Sequence, residues 1–368
     1  AISTYSFRIK IIKFSKFILG AIMAGLVYVV LALVVKFVGV GWVNKLMPAV
    51  VIGPTVAIIG LSLAGNAVGD LTTGKLVVEG AQAAHPYVCL VCGLVTLAVT
   101  ILCSVFGKKT LKMIPFIIGI LAGYVAATIF TVIGLLTDNL ALQVMDFSVF
   151  SGMKIFAVPE FTFLEGIKGF KDIDAQYILT VAIAYIPVAF VVFAEHIADH
   201  KNLSSIIEHD LLEEPGLHRT LLGDGVGSMA GALFGGCPNT TYGESVGCVA
   251  ISGNASVITI FTTAIMAIVI SFFGPFVTFL STIPNCVMGG VCMTLYGFIA
   301  VSGLKMVQKV DLEDNKNLFV VSVILIAGIG GLSLTFGKVT ITSIACALIL
   351  GILTNVMLSG KKADKEEK

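Results

Sequence analysis

The sequence predicts an all-α polytopic membrane protein. Hydrophobic residues make up 57% of its 368 residues and charged residues only 12%, with a mean hydropathy of +1.02. A soluble domain carries roughly 25% charged residues, so the solvent around so much apolar surface must be lipid. The apolar residues also occur in runs of about 20, the length that crosses a hydrocarbon core. The net charge of +1 gives no reason to expect a nucleic-acid partner.

About eleven candidate spans follow one another along the chain. They lie near 17–38, 46–65, 87–106, 113–135, 178–198, 220–234, 243–253, 257–275, 284–303, 317–333 and 341–358. The linkers 66–86 and 137–177 are longer and more polar, and we expect both on the outer side. Residues 361–368 form a charged tail.

Two of these spans, 220–234 and 243–253, are too short to cross a bilayer in the ordinary way. Between them the chain reads GGCPNTT from Gly235 to Thr241, which is polar and breaks helices. Irregular backbone at membrane depth is tolerated only where protein or a cavity satisfies its hydrogen bonds. Short, interrupted spans are also the best sequence indicator of a transporter's binding site. We therefore predict a strand-like broken element near 237–242.

Basic residues orient the spans. If the spans alternate in direction, the larger set of Lys and Arg lies on the same side as Lys108, Lys109 and the C-terminal tail. The positive-inside rule assigns that side to the cytoplasm. The basic N-terminus is then placed outside, against the rule. Either an odd number of spans precedes the sequence, or the count is wrong by one.

Acidic residues close to the spans are the first candidates for function, because ionisable groups in a membrane are costly. Glu195 and Asp199 follow the apolar run 178–194 and lie four residues apart, so they share one face of a helix. Two acids so close in a site of low dielectric cannot both be ionised without a cation or a donor. One of them is expected to carry a proton. The alternative is that Glu195 lies at the cytoplasmic end of its span, where an acid costs little.

Glu244 is the second candidate, at the predicted N-terminus of a short helix where the dipole favours a carboxylate. The amides of Tyr242, Gly243 and Glu244 could bind the edge of a polar ligand. An ordinary helix cap is the alternative. Asp224 is interpreted as a cap or an internal hydrogen-bond partner.

No metal site or other cofactor is expected. His196 and His200 lie four residues apart, as in a zinc pair, but the H-E-x-x-H pattern fails because Ile197 follows His196. Cys89 and Cys92 form a C-x-x-C without a second metal pair, so we expect them to pack as small apolar residues.

Four segments resemble the nucleobase–ascorbate (nucleobase:cation symporter-2) family, most closely its uracil-transporting members. They are AEHI (194–197), DLLEEPGLHR (210–219), FGGCPNTTYGES (234–245) and PNCVMGGVCMTLYG (284–297). The resemblance implies fourteen spans in a 7+7 inverted repeat, of which this chain carries about eleven. It begins at the family's fourth span, near residue 17, and leaves 1–16 unmatched. We therefore expect the first three spans to be missing, and the chain as given not to transport.

The resemblance also implies that the chain is divided into two functional domains. A core domain for substrate and proton would comprise 17–40 and 178–280, and a gate domain 41–136 and 281–360. The implied substrate site is Glu195, Glu244, Gly243, Tyr242, Tyr296 and Cys292. The implied proton-coupling residues are Glu195, Asp199 and Glu244. Asp199 stands where the family's enteric-type member has histidine, which leaves the proton path open.

The expected function is proton-coupled uptake of uracil or a related nucleobase, not an enzymatic reaction. The expected partners are the nucleobase, protons as coupling ion and the lipid bilayer. We expect a multi-pass protein of the cytoplasmic membrane with a cytoplasmic C-terminus, and a homodimer stays open. The alternatives are a purine permease of the same family for xanthine or uric acid, a non-transporting remnant, and an intramembrane metalloenzyme at Glu195–His200.

Overall fold

A computed structural model describes residues 2–108, 110–156, 175–234, 236, 239–242, 245, 246, 249, 253–336 and 339–359. Over these residues the chain is mainly helical. A helix satisfies its backbone N–H and C=O groups internally, which lipid requires because it offers no hydrogen bonds. The predicted helical class is confirmed at this level. The number of spans and the internal repeat stay predictions.

The helices of the described chain are numbered here in sequence order. Those before residue 157 are α1 (Ile2–Val38), α2 (Gly41–Leu46), α3 (Ala49–Ser62), α4 (Ala64–Asp70), α5 (Pro86–Phe106), α6 (Thr110–Met113) and α7 (Pro115–Leu136). Those after residue 174 are α8 (Ala175–Ile207), α9 (Leu217–Leu233), α10 (Val257–Ile270), α11 (Gly274–Thr282), α12 (Asn285–Val307), α13 (Asn315–Ile329) and α14 (Ser343–Ser359).

Short elements connect the helices. Two antiparallel hairpins pair β1 (Val77–Val78) with β2 (Ala81–Gln82) and β3 (Leu334–Phe336) with β4 (Val339–Ile341). Short 3₁₀ turns occupy Leu140–Leu142 and Ser148–Gly152, and Leu212–Gly216 forms a kinked turn in which Glu214 is extended. The polar linkers predicted at 66–86 and 137–177 therefore contain a hairpin and 3₁₀ turns where they are described.

Five segments of the described chain are long and apolar enough to cross a membrane. They are Ile18–Val38, Ala49–Asp70, Pro86–Phe106, Pro115–Leu136 and Asn285–Val307. Val257–Ile270, Asn315–Ile329 and Ser343–Ser359 are shorter apolar helices. Several predicted spans change in the structure: α1 begins at Ile2, 46–65 is divided between α3 and α4, and 257–275 is divided between α10 and α11. Proline favours the first turn of a helix, and Pro275 starts α11 in this way.

The described residues fall into two compact units. One unit takes in Ala1–Ile59, Glu160–Val246 and Ile299–Lys368, and the other takes in Gly60–Pro159 and Gly247–Phe298. In the first unit α1 packs against α8 and α9, and α13 packs against α14. Gly25 and Gly225 permit the close approach of α1 and α9, because a Cβ on Gly25 would lie 2.6 Å from the Gly225 carbonyl oxygen. Small residues at crossings are the usual basis of helix packing in membranes.

In the second unit, glycines likewise permit the close packing of one helix pair. α5 packs against α7, and Gly119 and Gly123 of α7 face Thr100 and Thr96 of α5 at distances that leave no room for a Cβ. Each threonine hydroxyl donates to a carbonyl one turn earlier in its own helix, so no buried hydroxyl is left unpaired at this crossing.

Candidate functional site

The sequence-predicted acids of the first unit lie on α8. This helix is continuous from Ala175 to Ile207, so Glu195 and Asp199 lie one helical turn apart. Both side chains are half-buried. The neighbouring His196 is 1% exposed, so the polar face of α8 is turned into the protein rather than towards the exterior.

Asp199 contacts the interrupted segment. The Thr241 hydroxyl donates to Asp199 Oδ2 over 2.6 Å. This length is typical of a hydroxyl bonded to a carboxylate. Of the strand-like element predicted near 237–242, residues 237 and 238 lie outside the described residues, and 239–242 form neither helix nor strand. The irregular backbone of 239–242 is tied to α8 through this bond. The interruption and the acid therefore belong to one local structure, although they are 42 residues apart in sequence.

A second contact fixes the same segment on α9. The Ser228 side chain is 4% exposed. Its hydroxyl donates to the Asn239 carbonyl over 3.1 Å and accepts from the Asn239 amide over 2.8 Å. One serine therefore satisfies both backbone groups of a residue outside any helix, as a broken segment at membrane depth requires.

His196 is the buried centre of a partly buried hydrogen-bond network between α8 and α9. Its Nδ1 lies 2.6 Å from Asp224 Oδ2, and its Nε2 lies 2.9 Å from Thr220 Oγ1. The Thr220 hydroxyl also lies 3.1 Å from the Leu217 carbonyl. Both ring nitrogens of His196 are thus within hydrogen-bond distance of a partner, and the interpretation of Asp224 as an internal hydrogen-bond partner is confirmed.

Two aromatic neighbours enclose the imidazole. The His200 ring stacks on His196 with centroids 4.1 Å apart, and the Tyr28 ring of α1 meets it edge-on at 6.2 Å. His200 Nδ1 is 2.8 Å from the His196 carbonyl oxygen. Among the described residues there is no group of three or more His, Cys, Asp or Glu side chains that could hold a metal ion.

The remaining predicted site residues are distributed over the two units. Gly243 and Glu244 lie outside the described residues. Tyr242 is 62% exposed at the end of the segment that Thr241 anchors. Cys292 and Tyr296 are half-buried on α12, four residues apart, in the second unit. The pocket that these residues were expected to share stays a prediction.

Sequence reasoning did not predict the network around His196. The signal was present, since a histidine directly follows an intramembrane acid, but Asp224 and Thr220 lie more than 20 residues away. Their proximity depends on the packing of α8 against α9, which the sequence pattern does not specify.

Comparison with known proteins decides the family. A family model described as "Permease family" (Xan_ur_permease) matches residues 9–336. The chain belongs to this permease family. The match begins within the segment 1–16 that the resemblance left unmatched. Membership supports a multi-pass membrane transporter rather than an enzyme, and it confirms the resemblance to nucleobase permeases.

Individual relatives are similar along nearly the whole chain. The uracil permease of Bacillus subtilis (strain 168) is 38% identical over 357 residues, which is 95% of this chain and 77% of the relative. The uracil permease of Bacillus caldolyticus is 40% identical over 346 residues, or 93% and 75%. The uracil permease of Escherichia coli (strain K12) is 36% identical over 335 residues, or 90% and 72%.

Proposed function

We propose that this permease is a secondary transporter that takes up uracil together with protons across the cytoplasmic membrane. The observation that carries the proposal is the similarity, along more than nine-tenths of the chain, to the Bacillus proteins named uracil permeases. The acid-rich face of α8, tied to an interrupted segment by Asp199 and Thr241, supports it as well.

In the proposed site, two carboxylates hold the base. Glu244 accepts from a ring N–H, and Glu195 binds the opposite edge of the ring. The backbone amides beside Gly243 and Tyr242 complete the polar contacts, as interrupted helices do in other transporters. A carboxylate that accepts a hydrogen bond from a ligand contributes about 1.5–3 kcal/mol, enough to discriminate a base from its analogue without the N–H.

Tyr296 and Cys292 are proposed to flank the base from the gate side. The two residues lie four apart on α12, so they present neighbouring positions on one helical face. An aromatic ring beside a planar base adds apolar contact area, and the small thiol leaves room for the ring.

Proton coupling is assigned to Glu195, Asp199 and Glu244. A carboxylate that takes up a proton loses its charge, and a neutral acid costs far less in a medium of low dielectric than an ionised one. When uracil and a proton are both bound, the site carries less charge. The protein can then turn the loaded site from one side of the membrane to the other at lower cost. Asp199 accepts a hydrogen bond from Thr241 and therefore contacts the interrupted segment directly.

The membrane arrangement proposed for the protein follows the family resemblance. It comprises fourteen spans in a 7+7 inverted repeat, a cytoplasmic C-terminus and a bilayer environment in the cytoplasmic membrane. The described part of the chain supports it with five membrane-length helical segments. A homodimer is the proposed assembly.

The test is uptake of radiolabelled uracil by cells that lack their own uracil permease and express the full-length protein. Glu244→Gln is expected to weaken uracil binding by about 2 kcal/mol and therefore to reduce proton-driven uptake roughly 30-fold. Glu208→Gln, at an exposed position after α8, is the matched control and should transport normally. Unimpaired uptake by the Glu244 variant would refute its role, and uptake that ignores the pH gradient would refute the coupling.

A purine permease of the same family is the alternative. Competition by unlabelled bases separates the two, because a uracil site should be blocked by uracil in preference to xanthine or uric acid.

A further inference from the structure

The proposed substrate site does not use the cluster formed by Tyr28, His196, Thr220 and Asp224. It lies between α1, α8 and α9 and is partly buried, and its His196–Asp224 contact becomes an ion pair when the imidazole is protonated. A buried pair of this kind is weak support for stability, because the cost of removing both charges from water offsets their attraction. Its presence therefore calls for another explanation.

The hydrogen-bond geometry lets the cluster hold one more proton without losing a bond. With neutral His196, the Nδ1–H donates to Asp224 and Nε2 accepts the Thr220 hydroxyl proton. If Nε2 takes up a proton, its new N–H donates to the Thr220 oxygen. The threonine hydroxyl proton then turns to the Leu217 carbonyl, 3.1 Å away.

The charge of the pair also favours the uptake of a proton by His196. With neutral His196 and ionised Asp224 the pair has a formal charge of −1, and protonation of the imidazole brings it to zero. A neutral pair costs less in the low dielectric of a membrane protein than a net charge. The His196 side chain is 1% exposed and the Asp224 side chain is 22% exposed, so the carboxylate is the part of the pair that remains accessible.

The cluster also has an unused hydrogen-bonding group. The Tyr28 hydroxyl is buried and has no hydrogen-bond partner among the described residues. It lies within electrostatic range of the Asp224 and Glu195 carboxylates. A buried hydroxyl without a partner is uncommon.

The charged and titratable groups around His196 come from all three packed helices. Tyr28 belongs to α1 and Asp224 to α9, while Glu195, Asp199 and His200 belong to α8 itself. Three of these groups are acids, and the stacked His200 ring is the other base of the cluster.

We propose that His196 and Asp224 form a proton-binding site of the transport cycle, with Thr220 as the residue that accommodates both protonation states. The inference rests on the proposed proton-coupled transport. It adds to the coupling acids Glu195, Asp199 and Glu244 a further proton-binding pair, which does not itself contact the base.

The test is His196→Asn in the full-length protein. The Asn amide lies near the Nδ1 position and still donates to Asp224, but it cannot take up a proton. Accumulation of radiolabelled uracil driven by a pH gradient is expected to be lost, while uracil exchange at equal pH on both sides continues close to the wild-type rate. His209→Asn, at an exposed position after α8, is the matched control and should change neither measurement.

Thr220→Val is a second variant, which tests the proposal if His196→Asn does not fold. The change removes a hydrogen bond that matters more to the charged imidazole than to the neutral one. The pH of half-maximal uptake should therefore fall, by up to about one unit. A Thr220→Val profile that superimposes on wild type, or gradient-driven accumulation that survives in His196→Asn, would overturn the inference. Failure of the wild type to take up or exchange uracil would instead contradict the proposed function.

Discussion

Removal of the Thr241 hydroxyl tests how the interrupted segment is held beside α8. Thr241→Val is nearly isosteric, and it deletes the 2.6 Å bond to Asp199 Oδ2. The half-buried carboxylate then loses a donor that water replaces only in part. A hydrogen bond to a charged group contributes about 1.5–3 kcal/mol, against roughly 0.5–1.5 kcal/mol for a neutral pair.

These magnitudes give a quantitative expectation for uracil binding. If the segment must be in place to bind the base, Thr241→Val should weaken binding by about 2 kcal/mol, or roughly 30-fold in Kd. In an Asp199→Asn background the same change should cost only about 1 kcal/mol, because the acceptor is neutral. The difference between the two costs measures the contribution of the Asp199 charge.

The chain carries its own reporter for this assay. Trp42 is its one tryptophan, and its ring stacks on Phe193 at 6.5 Å, two residues before Glu195. Uracil titration followed by tryptophan fluorescence gives Kd for each variant, with Thr240→Val as the control at the neighbouring exposed position. Equal affinities for Thr241→Val and wild type would refute the view that this bond positions the segment.

The remaining predictions concern stability and specificity. Gly123→Ala should lower the midpoint of thermal unfolding, at a cost of about 1–3 kcal/mol, because its Cβ would collide with Thr96. Gly152→Ala, where a Cβ meets open space, should not lower it, and equal midpoints for the two variants would contradict the packing argument. Tyr28→Phe should leave thermal stability within roughly 0.5 kcal/mol of wild type, since it deletes a hydroxyl without a partner among the described residues; a larger loss would mean that the hydroxyl is bonded. Unlabelled uracil should displace bound radiolabelled uracil far better than xanthine does, and the reverse order would assign the site to a purine.

The helical class was predictable because a membrane imposes it. Runs of about 20 apolar residues have few structural solutions, and the helices described near these runs agree in place with most of the predicted spans. Boundaries were less accurate. The predicted span 46–65 is divided at Leu63 between α3 and α4, and α1 continues back to Ile2 through a basic segment that hydropathy excluded from the span.

The candidate site was predictable only where it is local in sequence. The placement of Glu195 and Asp199 one turn apart follows from helical periodicity. The pairing of His196 with Asp224 does not, because it depends on the face that α9 presents to α8. The same is true of Ser228, whose contact with Asn239 holds the interruption in place.

The division into core and gate domains and the set of residues around the base stay predictions. They require a site assembled from distant segments, including Glu244, which lies outside the described residues. Periodicity and composition report on one helix at a time, so neither can show that two carboxylates from different segments meet.

An experimental structure of the full-length protein with bound uracil tests the central claim most directly. We expect a carboxylate oxygen of Glu195 and one of Glu244 each to lie within hydrogen-bond distance, about 2.7–3.2 Å, of ring atoms of the same uracil molecule. A uracil bound elsewhere, or contacted by neither glutamate, would contradict it.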